Sequence, residues 1–284
     1  MKNKILITGA NGFIGANVVR TLLKSGNDIL ACDFNNTNIP ENVTYLNIDI
    51  LNEANNPKLY EILQKPDIII HLAWQDGFNH YASSHINNLT KHFDFLKNMI
   101  NSGCKSISVM GTAHEIGYHE GKIKDDTPCN PLSYYGISKN TLRQLLFVFA
   151  KDKDVSIKWL RAYYITGDDE HNHSVFTKLL QAAKEGKTEF PFTKGTNQFD
   201  FIDINDLAEM IAKASLQTEI DGIINVCSGE PTSMKDRVED FIKEHNLNIK
   251  LNYGMFPSRK YDSPVIYGDN SKIEEILKNY RGDI

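Results

Sequence analysis

A short β-branched run, Lys4–Thr8 (KILIT), passes directly into Gly9-Ala-Asn11-Gly12-Phe13-Ile14-Gly15, and then into a pattern that carries Ile14, Val18, Leu22 and Leu23 on one helical face. Strand, glycine turn and helix in immediate succession restrict the chain severely. A tight turn, a close backbone approach and a helix N-terminus aimed at a phosphate all require residues without a Cβ atom. The spacing G-x-x-G-x-x-G therefore marks Gly9, Asn11, Gly12, Phe13, Ile14 and Gly15 as candidates for cradling a dinucleotide pyrophosphate. The acidic residue such a site needs is Asp33, 18 residues after Gly15 at the end of the next apolar run. Its carboxylate is suited to accept from ribose hydroxyls and to repel a 2′-phosphate, which favours NAD(H) and leaves NADP(H) possible. Asp49, followed by Ile50, offers a second acceptor for the adenine amino group, and reads equally well as a plain strand-end residue.

The rest of the first half repeats the same alternation. Ile29–Asp33, Val43–Ile48, Asp67–Leu72, Ser106–Met110 and Val155–Leu160 read as short buried strands. Helical patterns fall at Phe13–Ser25, Glu53–Leu63, Ser84–Ser102 and Tyr134–Lys151. Strands alternating with helices imply parallel pairing through crossovers, hence an α/β fold with a doubly wound parallel (Rossmann) sheet. After about residue 166 the pattern loosens. Irregular stretches at Thr166–His173 and Lys187–Thr196 separate helices at Ser174–Glu185, Asn205–Ser215 and Ser233–His245, while Gly222–Cys227 looks like another core strand. The expected division is a dinucleotide-binding domain over residues 1–165, rejoined by 200–228. A smaller C-terminal substrate-binding lobe would comprise 166–199 and 229–284.

Bulk properties narrow the function. A formal charge of −5 is not that of a nucleic-acid binder. No apolar run approaches a membrane span, and no signal-peptide pattern opens the chain, so a cytoplasmic protein is expected. Cys32, Cys104, Cys129 and Cys227 lack metal or redox spacing. Histidines 71, 80, 85, 114, 119, 171 and 173 are numerous, but His171-Asn-His173 lacks companion carboxylates at convincing metal-ligand spacing, and no metal site is expected.

Tyr135-Gly-Ile-Ser-Lys139 places a phenol and an ammonium four residues apart on one helix face. A free tyrosine titrates near ~10. A neighbouring cation and an oxidised nicotinamide both favour phenolate and are expected to lower that value, making Tyr135 a proton donor and acceptor. Lys139 can also hold a cofactor ribose. Thr112 closes the apolar run Ile107–Met110, at the strand end where open α/β sheets bind ligands, and its hydroxyl can donate to a substrate carbonyl.

Together with Ile70-His-Leu-Ala73, Pro131-Leu-Ser-Tyr-Tyr-Gly-Ile-Ser-Lys139, Asp200-Phe-Ile-Asp-Ile-Asn-Asp206, Asn225-Val-Cys-Ser-Gly-Glu230 and Asp269-Asn-Ser-Lys-Ile273, these motifs resemble the extended short-chain dehydrogenase/reductase family over nearly the full length. That family contains nucleotide-sugar epimerases, dehydratases and 4-ketoreductases. The resemblance implies Tyr135 as acid–base, Lys139 as its partner and Thr112 as the hydroxyl residue. It further implies Leu72 and Ala73 along the cofactor, and a structural Asn at Asn88. Trp74, Thr112, His114, Tyr164 and Arg259 are expected to meet the sugar nucleotide. Three departures stand out. Ala113 and His114 replace the Asp-Glu of 4,6-dehydratases, which argues against dehydration. Arg161-Ala-Tyr-Tyr164 replaces Arg-Pro-Phe-Asn, and Phe199 stands where an Arg often precedes Asp-Phe-Ile. The resemblance implies an NAD(P)H-dependent reductase of a 4-keto-6-deoxy nucleotide sugar, used for bacterial surface polysaccharide. The alternatives are a C4 epimerase and, from another class, a non-catalytic NAD(P)-binding regulator. A homodimer is expected through Ser84–Ser102 and Tyr134–Lys151, with Phe93/Leu96/Ile100 and Leu142/Leu145/Leu146/Phe149 reading either as the interface or as core stripes.

Overall fold

The computed structural model describes residues 2–167, 174–256, 263–282 and 284. Among these, seven strands form a parallel sheet in the order Gly222–Val226, Ser156–Ala162, Ser106–Thr112, Ile68–His71, Lys4–Thr8, Asp28–Cys32, Thr44–Leu46. Ile5 lies opposite Ile29 on one side and Ile68 on the other. The chain thus starts in the middle of the sheet and winds outward in both directions. The strand order reverses beside Lys4–Thr8, opening the crevice at the carboxyl edge where Thr8, Cys32, His71 and Thr112 end their strands.

The first strand shows why its sequence is apolar without alternation. Ile5 and Ile7 pack on one face with Val18 and Leu22 of the Phe13–Leu23 helix and with Leu207 and Ile211 of the Ile204–Leu216 helix. Leu6 faces the other side, with Phe95, Leu96 and Met99 of Leu89–Asn101 and Leu142 and Leu146 of Tyr134–Ala150. A parallel strand buried on both faces has to be hydrophobic at every position. Leu96, Ile100, Leu142 and Leu146 are thereby core residues, whereas Leu145 and Val148 remain exposed on the outer surface.

Two helices differ from their sequence pattern. Of Glu53–Leu63 only Leu59–Ile62 is helical, because Pro57 biases the residue before it away from helix. Ser84–Ser102 forms two helices, Ser84–Asn87 and Leu89–Asn101, that meet at Asn88.

A second sheet is built from Pro231–Ser233, Gln198–Asp203, Val265–Gly268 and Gly121–Ile123, with Tyr164–Thr166 added alongside Gln198–Asp203. Glu189–Pro191, inside a stretch that reads as irregular, pairs separately with Lys250–Asn252. Asp200 binds these pieces together. Fully buried, its carboxylate accepts from the Ser228 amide (2.9 Å) and hydroxyl (2.6 Å), the Gly229 amide (3.0 Å) and the Gly268 amide (3.0 Å). Removing it strands several buried donors at once, each costing about 1–3 kcal/mol. Asp200→Ala should therefore lower unfolding free energy by at least about 3 kcal/mol in urea titrations, with Asp200→Asn losing less. An Asp200→Ala protein as stable as wild type would remove this carboxylate from the stabilising set.

Candidate active site

Each glycine of the first turn answers a different steric demand. Gly9 has φ +70°, and a Cβ on it would lie 2.6 Å from the Ala73 amide nitrogen. A Cβ on Gly15 would collide with the Gly9 carbonyl oxygen. Gly12 is different: its nearest atom would be 3.4 Å away, so the protein itself tolerates a side chain there. Gly12 is also the N-cap of the Phe13–Leu23 helix and supplies no capping side chain, leaving first-turn amides open to an anion.

A cavity of about 520 Å³ follows this turn, lined by Gly9, Gly12, Asp33, Asp49, Ile50, Leu72, Ala73, Trp74 and His92. Asp33 accepts from the Asn11 amide at 2.9 Å and from the Phe34 amide at 2.7 Å, so the same carboxylate that faces the cavity also shapes the glycine loop. Asp49 caps its own turn by accepting from Leu51 and Asn52. Asn11 and Phe13 turn towards a neighbouring cleft of about 680 Å³, together with Gly12, while Ile14 packs on the core and Gly15 is buried. The open helix end, the cavity-facing carboxylate and the cavity volume fit a dinucleotide.

At the other end of the crevice, Thr112 closes its strand and starts a single 3-10 turn, Ala113–Glu115. The Thr112 hydroxyl accepts from the His114 amide (3.3 Å) and the Glu115 carboxylate accepts from the Thr112 amide (2.8 Å). Thr-x-x-Glu is capping-box spacing and was readable as such. Glu115 is fully buried; it also accepts from the Trp159 indole (2.8 Å) and lies 3.6 Å from both Arg143 and Arg161. Gly136 brings the Tyr134–Ala150 helix onto this turn, since a Cβ there would strike the His114 carbonyl oxygen.

That approach sets Tyr135 beside Thr112, whose side chain hydrogen-bonds to the phenol. The phenol's acidity is opposite to the sequence expectation. Burial, with a smaller contribution from Glu115, pushes the Tyr135 pKa up to about 12, against which the Thr112 hydrogen bond works. Burial brings Lys139 down to about 7, and Glu115 opposes that fall. Lys139 is not among the groups that shift the phenol, and its ammonium has other contacts. It donates to the Met110 carbonyl at 2.8 Å and sits 3.9 Å from the centre of the Trp74 ring.

Imidazoles surround the phenol. The His80 ring stacks on Tyr135 at 5.1 Å and meets His114 at 4.3 Å, and His85 lies 5.3 Å from Tyr135. Burial lowers the pKa of His80, and burial together with His80 brings His114 to about 4. The Tyr135 amide donates to the His80 carbonyl at 3.0 Å, so an otherwise orphan first-turn donor holds this segment in place. A cavity of about 300 Å³ opens here, lined by His80, Thr112, His114, Tyr163, Tyr164 and Phe199 among others. Tyr164 and Phe199, two of the departures noted above, stack on each other at 4.2 Å. Trp74 lines the larger cavity with Leu72 and Ala73, not this one. His71 is buried elsewhere, between Thr8 and His92, and His119 lies against the Lys122 carbonyl. Asn88 bonds Gln75. Arg259, His171 and His173 lie outside the described residues. Among those described, no group of His, Cys, Asp and Glu is arranged to hold a metal.

Sequence reasoning assigned no role to Glu115, Gly136, His80 or His92. Only Glu115 carried a local signal; the others gain meaning from partners distant along the chain.

A model of the NAD dependent epimerase/dehydratase family matches residues 5–227. The chain is 46% identical over 268 residues to the dTDP-6-deoxy-L-talose 4-dehydrogenase (NAD(+)) of Aggregatibacter actinomycetemcomitans, covering 93% of this chain and 98% of the relative. Among solved structures, it is similar to the UDP-glucose 4-epimerase of Thermotoga maritima with UDP-glucose (TM-score 0.82, 21% identity, 96% of this chain and 91% of that one). It is also similar to the Thermus thermophilus UDP-glucose 4-epimerase in complex with NAD (TM-score 0.80, 20% identity, 98% and 93%). These two establish the likeness of fold.

The glycine geometry separates two effects experimentally. Gly15→Ala should reduce both stability and NADH affinity, because the loop itself must open. Gly12→Ala should leave stability within about 1 kcal/mol of wild type, yet weaken NADH at least about tenfold, or 1.4 kcal/mol. Thermal unfolding and calorimetric titration check the pair; unchanged NADH affinity in Gly12→Ala would mean the pyrophosphate does not approach this turn.

Proposed function

Because the chain belongs to the NAD-dependent epimerase/dehydratase family, we propose that it is an NAD(H)-dependent oxidoreductase that reduces the C4 ketone of a nucleotide-linked 4-keto-6-deoxy sugar. Its product would serve bacterial surface polysaccharide, and the enzyme would work in the cytoplasm. The observation that carries this reading is the 300 Å³ cavity beside Thr112 and Tyr135. Among the described residues its lining is aromatic, aliphatic and hydroxylic, with no Asp, Glu, Lys or Arg. Such a wall suits a deoxy sugar with a methyl at C6, and it opposes a uronate, whose carboxylate would lose water without gaining a partner. The relative at 46% identity is named for a dTDP-6-deoxy sugar and for chemistry at the same carbon, which supports the assignment.

The residues divide the work as follows. Gly12 and the first-turn amides receive the pyrophosphate, Asp33 the adenosine ribose, and Lys139 the nicotinamide ribose. The cofactor, when bound, supplies the hydride. Thr112 donates to the ketone oxygen and orients it against the phenol. Tyr135 gives its proton to the oxygen as alkoxide character develops. A phenol held at about 12 is protonated throughout the physiological range, the state a reductive step requires. His80 and His114, neutral at pH 7, present polar edges to the sugar without charge.

General acid catalysis is worth ~10²–10⁴-fold, so Tyr135→Phe should lower turnover by that factor and leave NADH affinity nearly unchanged. Thr112→Ala should cost less, since one oxyanion donor is lost. Lys139→Met should lose both turnover and NADH affinity. NADH oxidation with dTDP- and GDP-linked 4-keto-6-deoxy sugars measures all three. Full activity in Tyr135→Phe overturns this mechanism. Purified protein carrying tightly retained NAD, and converting sugar without net NADH consumption, would instead identify a C4 epimerase.

We also propose a homodimer. Ile137, Leu145 and Val148 leave apolar surface on the outside of the Tyr134–Ala150 helix, Val148 being 78% exposed. Light scattering at micromolar concentration should give twice the 32.2 kDa chain mass; the mass of one chain would rule the dimer out.

A further inference from the structure

A buried ammonium ordinarily has a carboxylate partner, and among the described residues Lys139 has none within reach. It is 2% exposed, and among the described residues no carboxylate lies within ion-pair distance of it. Its contacts are the Met110 carbonyl and the face of Trp74. The indole is itself fixed on two sides. It stacks on His92 at 4.5 Å with an interplanar angle of 16°. Its N–H donates to His85 Nδ1 at 3.0 Å, which places the His85 proton on Nε2, where it donates to the Asn79 carbonyl at 2.8 Å. A freely rotating indole would offer the ammonium its face only part of the time. This one is clamped in that orientation, and it also lines the cavity that fits the dinucleotide.

We propose that Trp74 is a positioning residue that keeps Lys139 cationic and aimed at the cofactor through a cation–π contact, in the place a carboxylate partner would occupy. The proposal rests on the reading of Lys139 as the anchor of the nicotinamide ribose. The other titratable groups that face Lys139 come from every element around it. Glu115, from the turn after the Ser106–Thr112 strand, favours the cation at longer range. Tyr135 precedes Lys139 by one helical turn. His71, ending its strand, and His92, from the Leu89–Asn101 helix, are both held neutral by burial. His85 acts only through the indole. With the histidines uncharged, Glu115, the Met110 carbonyl and the Trp74 face are what oppose the desolvation that brings Lys139 to about 7.

The sign follows directly. A cationic Lys139 donates to ribose hydroxyls with its full charge, so NADH affinity should fall as pH rises past about 7. Loss of the π face lowers the Lys139 pKa further and moves that fall to lower pH. Calorimetric titration of NADH between about pH 6 and 9 on wild type, Trp74→Leu, Trp74→Phe and Lys139→Met reads this without any sugar substrate. Trp74→Leu should move the midpoint of the fall down by about one pH unit, the shift a desolvated cation–π contact supports. Trp74→Phe should move it less, since a benzene ring keeps a weaker face towards the ammonium. Trp74→Phe also carries the test if Trp74→Leu does not fold. A merely structural Trp74 would weaken NADH by the same factor at every pH, and that result overturns the proposal. Lys139→Met should bind weakly with little pH dependence. If Lys139→Met retained the wild-type profile, the ribose-anchor reading would fail first; if it flattened while neither Trp74 variant shifted, only the role of Trp74 would fail.

Discussion

A carboxylate without access to solvent must be compensated where it stands, and the end of the crevice that holds Thr112 and Tyr135 is organised around one. Glu115 ties the Thr112 amide to the Trp159 indole and faces Arg143 and Arg161. Those partners come from the end of one central strand, from the adjacent strand and from the Tyr134–Ala150 helix. Breaking a buried ionic cluster by losing one member typically costs 3–5 kcal/mol, so the relative placement of these elements is strongly constrained. Gly111 and Gly136 provide the space: a Cβ on the former would strike Trp159, and one on the latter the His114 carbonyl. Thr112 and Tyr135 meet as a consequence.

Burial then sets the electrostatics. The phenol is made less acidic, the lysine less basic, and His71, His92 and His114 are kept neutral. A site in which desolvation dominates stabilises charge only where a specific group supplies it. Here those groups are the Thr112 hydroxyl, the Met110 carbonyl and the Trp74 face. The arrangement suits a phenol that must hold its proton until an alkoxide forms beside it.

The second sheet contributes a wall of the cavity beside Thr112. Asp200, with four hydrogen bonds, joins Gln198–Asp203 to the turn at Ser228 and Gly229 and to the end of Val265–Gly268. That junction holds Phe199 against Tyr164. The two aromatic departures in sequence are therefore one structural feature, a continuous apolar surface where the family pattern has an amide and a guanidinium.

Much of this was determined by local sequence. The parallel sheet follows from uninterrupted apolar runs separated by helical periods, and the first turn from glycines whose missing Cβ atoms are required by Ala73 and Gly9. Tyr135, Lys139 and Thr112 were legible because their spacing is local to one helix and one strand end. The four-residue remnant of Glu53–Leu63 and the three-residue strands outside the seven-stranded sheet were not legible, since a proline overrode the first and the others are too short to show a period. Tertiary structure alone decided the chemistry of the pair. Tyr135 and Lys139 read from spacing as a phenol acidified by its neighbour. In the fold, burial outweighs that proximity, and the ammonium turns to a carbonyl and an indole that lie far from it along the chain. A pKa is set by the dielectric and charges that surround a group in space, and spacing along the chain does not carry that information.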